Sequence, residues 1–326
     1  MPQTLTPGRW RGLKATSTAD NRFNILAFDQ RGSFIKMLPA GTPYETAVQM
    51  KRDIVLWLSP AFSAVLLDAE YGMQAALDLP GNKGLLMALE KSGYSGDATY
   101  RKIDFTEGWT VEQIKRMGAA AVKLLAYYHP QSGALAEEIE SVIQKVTEDC
   151  HRLDLPIFVE PISYSLDAAV SRDSAEFART RPAVAVETAR RLSKLGVDIL
   201  KLEFPVDVNI DKDEKSWRAA CEAMSAASSV SWVLLSAGVD FETFVVQARV
   251  ACQAGASGYL AGRAIWKEAV VMTPADRQRF IQEQGIKRLE MLNAITREYA
   301  RPWTDFYRPI EITKNWFMDA PQALHA

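Results

Sequence analysis

Lysine is uncommon inside an apolar strand, and this chain carries two such lysines. Lys201 sits in Asp-Ile-Leu-Lys-Leu-Glu-Phe-Pro-Val (198–206), and Lys123 in Ala-Val-Lys-Leu-Leu-Ala-Tyr-Tyr (121–128). Between them, Pro-Ile-Phe-Val-Glu-Pro (156–161) ends a third apolar run with Glu160. Burying an ammonium is costly unless it is paired or neutralised. Two lysines and a carboxylate on consecutive strands are therefore either a buried ion cluster or an active site. As an active site, the set has a definite chemistry. A neutral lysine amine attacks a carbonyl, the resulting imine withdraws electrons from a neighbouring C–C bond, and a carboxylate moves the hydroxyl proton. Desolvation and a nearby cation both favour the neutral amine. Lys201 is then the candidate nucleophile, Lys123 the nearby cation and Glu160 the acid/base. Glu203 shares a face with Lys201, because strand side chains alternate with period two. It reads either as a partner holding the amine or as a salt-bridge partner.

These three runs belong to a longer series. Apolar strand-like runs occur at 24–32, 63–72, 84–91, 121–128, 156–161, 198–204, 232–238 and 258–264, separated by helical patterns. The run at 84–91 is ambiguous between strand and helix, 92–109 reads as a long loop, and 162–180 as a loop with some helix. A helix is expected from about 184 to 194. This alternation is the period of a (β/α)8 TIM barrel. A doubly wound sheet could alternate similarly, but its usual glycine-rich turn after the first strand is replaced here by Phe-Asp-Gln-Arg-Gly (28–32). Without a linker or internal repeat, one domain spanning 1–326 is the simplest division, with the barrel at roughly 20–272 and a C-terminal helical extension at 273–326. The extension holds a helical pattern near 284–299 and an aromatic tail with Trp303, Phe306, Tyr307, Trp316 and Phe317. The tail is expected to pack on the outside of the barrel, a lid or subunit contact being the alternative.

Active sites of such barrels lie at the C-terminal ends of the strands. Those ends offer Asp29, Gln30 and Arg31, then Asp68 and Glu70, then Glu90, before the three residues already named. The last two strands end in Ser-Ala-Gly (236–238) and Ala-Gly-Arg (261–263). Loops in these positions are the usual phosphate site of the fold, glycine lets the backbone approach closely, and Arg263 adds a bidentate donor. Ser236, Gly238, Gly262 and Arg263 are thus candidate phosphate ligands. Two tight turns and a surface arginine are the plainer alternative. A metal enzyme is the chief mechanistic competitor, since Asp29, Asp68, Glu70 and Glu160 could hold Mg²⁺ through oxygens alone. However, His129, His151 and His325 form no ligand motif, and two lysines in the site would repel the ion. Neither a metal nor a cofactor is expected.

The bulk properties narrow the function classes. The 326 residues are 48% hydrophobic and 24% charged, ample for a core, and the net charge of −2 gives no electrostatic case for nucleic acid or an anionic membrane. Cys150, Cys221 and Cys252 are odd in number and widely spaced, which argues against a disulfide framework or zinc site and suits a reducing cytoplasm. The polar stretch 1–24 lacks the apolar core of a signal peptide, and no run reaches membrane-spanning length. A soluble cytoplasmic protein, with homo-oligomerisation left open, is the expectation.

A set of short words ties these features together. They are Ala-Phe-Asp-Gln-Arg-Gly (27–32), Leu-Leu-Asp-Ala-Glu-Tyr-Gly (66–72), Glu-Lys-Ser-Gly-Tyr (90–94), Ala-Val-Lys-Leu-Leu-Ala-Tyr-Tyr (121–128), Ser-Ala-Glu-Phe-Ala (174–178), Leu-Lys-Leu-Glu-Phe-Pro-Val (200–206), Leu-Ser-Ala-Gly-Val (235–239) and Ala-Gly-Arg-Ala-Ile-Trp (261–266). In this order the chain resembles the class I tagatose 1,6-bisphosphate aldolases, metal-independent (β/α)8 enzymes. The resemblance implies cleavage of a ketose 1,6-bisphosphate to dihydroxyacetone phosphate and glyceraldehyde 3-phosphate. It implies Lys201 as Schiff-base lysine, Glu160 as acid/base, and Lys123 as a substrate contact that tunes the site. Asp29 and Gln30 would bind hydroxyls or phosphate, and Ser236, Gly238, Gly262 and Arg263 the phosphate nearest the ketone. The stretch 254–266 is also similar to sulfofructose-phosphate aldolases, which carry a sulfonate where the second phosphate would be. The far-end anion pocket therefore decides the substrate, with Arg31 as its candidate. A non-catalytic sugar-phosphate sensor on the same fold is the alternative of another class, but such a sensor has no chemical need of Lys123, Glu160 and Lys201 together.

Overall fold

The computed structural model describes residues 2–91 and 101–317, so part of the word at 90–94, part of the expected loop at 92–109, and His325 lie outside the described residues. In chain order the strands are β1 (Gln3–Leu5), β2 (Phe23–Phe28), β3 (Ala64–Leu67), β4 (Gly84–Ala88), β5 (Ala121–Tyr127), β6 (Ile157–Ile162), β7 (Ile199–Leu202), β8 (Ser231–Leu235), β9 (Gly258–Ala261) and β10 (Tyr307–Pro309). Strands β2 to β9 form a closed parallel barrel in sequential order, and β9 pairs back onto β2 with Leu26 opposite Ala261. Nearly every barrel-strand residue is buried. A parallel sheet covered by helices requires that, and it explains why the strands read as continuous apolar runs. The ambiguous run at 84–91 is strand β4, too short between Gly84 and its polar end to form a stable helix.

The helices obey the apolar period expected of them. In Ala134–Arg152, residues Leu135, Ile139, Ile143, Val146 and Cys150 recur three or four apart and face inward. One boundary differs from expectation. The helix expected from about 184 begins at Ala175, where the Ser174 side chain caps the Phe177 N–H, and it runs to Leu192 through Pro182. Pro182 suggests a break in the sequence, but the cap starts the helix ahead of it. After β9, short turns lead to the C-terminal helical segment. Its helix Ile286–Tyr299 packs on Phe241–Gln253 and against β2.

The N-terminal stretch, which reads only as polar, holds the helix Pro7–Thr16, buried through Arg9, Gly12, Leu13 and Thr16. A Cβ on Gly12 would lie 2.5 Å from the Ala120 carbonyl oxygen and 2.6 Å from the Pro156 ring, so glycine alone permits the approach. Ala120 and Pro156 immediately precede β5 and β6. The helix therefore covers the N-terminal end of the barrel. There Arg9 donates twice to Oδ1 of the fully buried Asp198, at 2.6 and 3.1 Å. The other oxygen, Oδ2, accepts the Ile157 N–H at 2.9 Å and faces His151 Nε2 at 3.0 Å. Burial pushes the Asp198 carboxyl up, yet Arg9 and His151 reverse this and hold it below the usual range.

The aromatic tail arrives at the same end. Trp303 packs edge-on to Trp10, the Tyr307 hydroxyl donates to the Asp198 carbonyl, and β10 pairs with β1. Trp303 and Tyr307 are thus buried opposite the C-terminal strand ends, and they are no lid over them. No helix among the described residues is long and apolar enough to cross a membrane. Arg9→Met is expected to cost about 3–5 kcal/mol, because it strands a buried carboxylate. Urea unfolding reads this as a lower midpoint, and an unchanged midpoint would show that His151 and Ile157 suffice to hold Asp198.

Candidate active site

At the C-terminal ends of the barrel strands lies a cavity of about 350 Å³. The proposed catalytic set Lys201, Glu160 and Lys123 and the proposed substrate ligands Asp29, Gln30, Arg31, Ser236, Gly238, Gly262 and Arg263 all line it. Strand parity explains why: Ala27 and Asp29, Lys123 and Leu125, Glu160 and Ile162, and Lys201 and Glu203 are each two apart and point into the lumen. The register adds depth. Leu125, not Lys123, is level with Glu160, so Lys123 starts one layer lower and its long side chain reaches up.

At the centre of the cavity floor is the Lys123 ammonium, within 2.7 Å of Asp29 Oδ2, 2.8 Å of Glu90 Oε1 and 2.9 Å of Glu160 Oε2. That same Glu160 oxygen lies 2.9 Å from Lys201 Nζ. One carboxylate oxygen therefore bridges both lysines, and the two nitrogens cannot be further apart than twice that distance. All five side chains are buried. Burial pushes the Asp29 carboxyl up, but Lys123, Lys201 and Arg31 together hold it far below the usual carboxylate range. Asp29 Oδ1 and Gln30 Oε1 are buried and accept no hydrogen bond from the described residues. Glu90, at the end of the β4 segment, also accepts the Leu125 N–H at 3.0 Å, and Arg31 donates to its carbonyl at 2.8 Å.

The walls at β8 and β9 form a distinct corner. Ser236, Ala237, Gly238 and Val239 make a tight turn in which Val239 N–H donates to the Ser236 carbonyl at 3.1 Å. Both central residues have positive φ, +47° at Ala237 and +81° at Gly238, as in a type I′ turn. A Cβ on Gly238 would meet the Arg263 guanidinium at 2.9 Å, so the bare glycine is what lets Arg263 lie flat against the turn. Gly262 N–H points at Ser236 Oγ, 3.3 Å away. The corner combines backbone N–H groups, a hydroxyl and a guanidinium, an arrangement suited to an oxyanion.

Several sequence expectations do not hold in this geometry. Glu203 is not a partner of the Lys201 amine: its Oε2 accepts from Ser163 N–H at 2.8 Å and Ser163 Oγ at 2.6 Å, and its Oε1 pairs with Arg172. Asp68 and Glu70 lie outside the cavity. Asp68 pairs with the buried Lys51 and accepts the Glu70 and Tyr71 N–H groups, while Lys51 also donates to the carbonyls of Phe28 and Gln30 at 2.8 and 2.9 Å. This buried pair fixes the backbone that presents Asp29 and Gln30. Arg172, from the stretch expected as loop, lines the cavity and was not a candidate from sequence, since one arginine in a polar segment gives no periodic signal. Among the described residues no group of three or more His, Cys, Asp or Glu is arranged to hold a metal; the acidic cluster at the site surrounds an ammonium instead.

The profile described as "DeoC/LacD family aldolase" matches residues 23–268, which include every barrel strand. The chain belongs to this aldolase family. It is accordingly a carbon–carbon lyase. Tagatose 1,6-diphosphate aldolase 2 of Streptococcus pyogenes is 31% identical over 329 residues, covering 94% of this chain and 99% of that protein. Tagatose 1,6-diphosphate aldolase of Streptococcus agalactiae is 31% identical over 323 residues, covering 92% and 99%. Among solved structures, an archaeal fructose 1,6-bisphosphate aldolase superposes with a TM-score of 0.57 at 19% identity, covering 88% of this chain and 98% of that one. Fructose-bisphosphate aldolase from Plasmodium falciparum gives 0.67 at 14%, covering 92% and 98%. The two structural matches agree on the barrel.

The Asp29 carboxylate has a testable signature. Its folded pKa lies below the unfolded value of about 3.9, so its stabilisation is full above that value and declines as pH falls through the interval beneath it. Asp29→Asn is expected to be less stable than the parent at pH 7, with the gap narrowing at pH 3, as read by urea unfolding at both pH values. A gap independent of pH would contradict the assignment.

Proposed function

We propose that this aldolase cleaves tagatose 1,6-bisphosphate reversibly to dihydroxyacetone phosphate and glyceraldehyde 3-phosphate, through an imine on Lys201. The observation that carries the proposal is the single Glu160 oxygen 2.9 Å from both Lys201 and Lys123. Lys123 is compensated by Asp29 and Glu90 as well, whereas Lys201 shares its one carboxylate. Lys123 is thereby committed to three carboxylates, and Lys201 is assigned as the nitrogen that attacks the carbonyl.

The Lys201 nitrogen adds to the C2 carbonyl, and water leaves to give the iminium. Glu160 takes the proton from the C4 hydroxyl. The C3–C4 electron pair moves to C3 and the iminium nitrogen, releasing glyceraldehyde 3-phosphate and leaving an enamine. Protonation at C3 and addition of water release dihydroxyacetone phosphate and regenerate the amine. Asp29 and Gln30, with their unpartnered buried oxygens, accept substrate hydroxyls. The Ser236, Gly238, Gly262 and Arg263 corner holds the C1 phosphate. The names of the streptococcal relatives support the tagatose substrate, and the ion cluster supports the Schiff-base route.

Borohydride reduction in the presence of dihydroxyacetone phosphate is expected to attach a stable adduct to Lys201, located by peptide mass spectrometry, with turnover unaffected by EDTA. Lys201→Met is expected to lose at least about 10³-fold in kcat while remaining folded by circular dichroism, since it removes the covalent route. An unlabelled Lys201 together with EDTA-sensitive turnover would sink the proposal.

A further inference from the structure

The strand order gives the cavity a direction. The oxyanion corner belongs to β8 and β9, Lys201 to β7, and Glu160 to β6. On the reading proposed above, a ketose bisphosphate lies with C1 at the first, C2 at the second and C4 at the third. Its far end then points at the rim that follows, towards β5. That rim carries Tyr127, with the Arg101 guanidinium stacked 4.3 Å above its ring, and Arg172 from the loop after β6.

Arg172 is held by an unusual support. Glu203 is buried, its Oε2 is bonded to Ser163, and its Oε1 receives Arg172 and lies 3.7 Å from Arg181. A buried carboxylate fixed on both oxygens is a rigid post, and the arginine that leans on it cannot swing freely. The Arg172 side chain nevertheless keeps 35% exposure, so the guanidinium has one side on Glu203 and another towards the cavity. Burial makes its proton harder to keep, Asp173 and Tyr127 oppose this, and the like charges of Arg263 and Arg101 add to it. A desolvated guanidinium is relieved by an anion bound against it. Arg31, the far-end candidate from the sequence, is instead committed to Glu90, donating to its carbonyl at 2.8 Å with Nη2 3.5 Å from its carboxylate.

We propose that Arg172, oriented by Glu203, binds the oxyanion at the far end of the substrate and so decides which ketose phosphates the enzyme accepts. The inference rests on the aldolase reading above. It moves the far-end site from Arg31 to Arg172. The recognised chemistry is a terminal tetrahedral oxyanion, phosphate or sulfonate, on a chain whose other end is a phosphate.

The test is steady-state cleavage of three substrates by the full-length enzyme: a ketose 1,6-bisphosphate, the corresponding 6-sulfonate 1-phosphate, and a ketose 1-phosphate with no far-end anion. Arg172→Met is expected to raise KM for the preferred doubly anionic substrate about 10- to 100-fold, with kcat/KM for the 1-phosphate within about twofold. The parent enzyme's preference between the first two substrates identifies the oxyanion. Glu203→Gln is expected to raise the same KM with kcat retained, and to add little in the Arg172→Met background, because its effect acts through Arg172. Equal losses on all three substrates would place Arg172 at the C1 phosphate or in the scaffold and overturn the proposal, as would unchanged kinetics on all three. Failure of the parent to cleave any of them, with no borohydride adduct, instead overturns the aldolase reading on which this one stands.

Discussion

The arrangement at the top of the barrel depends on one buried ammonium. Lys123 holds Asp29, Glu90 and Glu160, which come from the β2, β4 and β6 segments. Without that charge, three carboxylates would face one another in a closed lumen, and like charges at such separations in a poorly solvated space cannot all remain ionised. The converse also holds, since an unpaired ammonium there would be as costly. The cluster is stable only as a set, which couples the ends of four strands into one unit. The same set leaves Lys201 with a single shared carboxylate. Function and stability therefore draw on the same charges, and the imbalance between the two lysines is the part that chemistry can use.

How much of this the chain's sequence discloses follows from which signals are periodic. Barrel strands are apolar runs broken by a charge at the lumen-facing position, so Lys123, Glu160 and Lys201 stand out, and with them the fold. The ends of β8 and β9 stand out because small residues sit where strand should become helix. Arg172 and Arg9 do not stand out. Each lies in a polar stretch, and each matters through a partner far away in sequence, Glu203 and Asp198 respectively. The helix Pro7–Thr16 is hidden for the same reason: its inward face is Arg9, Gly12, Leu13 and Thr16, two of which are polar. Asp68 misleads in the opposite sense, having the position of a site residue but the contacts of a structural one. Glu203 has the right parity and still serves Ser163 and Arg172 rather than Lys201. Parity fixes the face a side chain takes, and only the loop packed above decides its partner.

The two ends of the barrel handle buried charge differently. At the N-terminal end, Asp198 is saturated by Arg9, His151 and a backbone N–H, and the Tyr307 hydroxyl adds a bond to its carbonyl. Trp303 and Tyr307 of the aromatic tail cover this carboxylate. At the C-terminal end, Asp29 and Gln30 keep buried oxygens without donors among the described residues, and the Arg172 side chain keeps part of its surface open. Buried polar groups are normally satisfied within the protein, so the orphaned Asp29 and Gln30 oxygens that line the cavity mark the working face. The division matches the tendency of such barrels to keep stability at one face and chemistry at the other.

On the proposed reading, arginine rather than lysine meets each end of the substrate, while lysine meets its carbonyl. A guanidinium is always charged and presents a fixed fork of donors, which suits a group that must hold an oxyanion and never change state. An amine can lose its proton when its surroundings permit, which suits the atom that must attack carbon. Arg263 is braced by the bare backbone of Gly238, and Arg172 by the fixed carboxylate of Glu203. Each brace removes side-chain freedom before a ligand arrives, so less ordering is left to be done on binding. On the proposed reading, a six-carbon chain between two such fixed points is constrained at both ends. On that reading the carbon to be attacked falls at Lys201 because of strand order, and the amine needs no strong contact of its own.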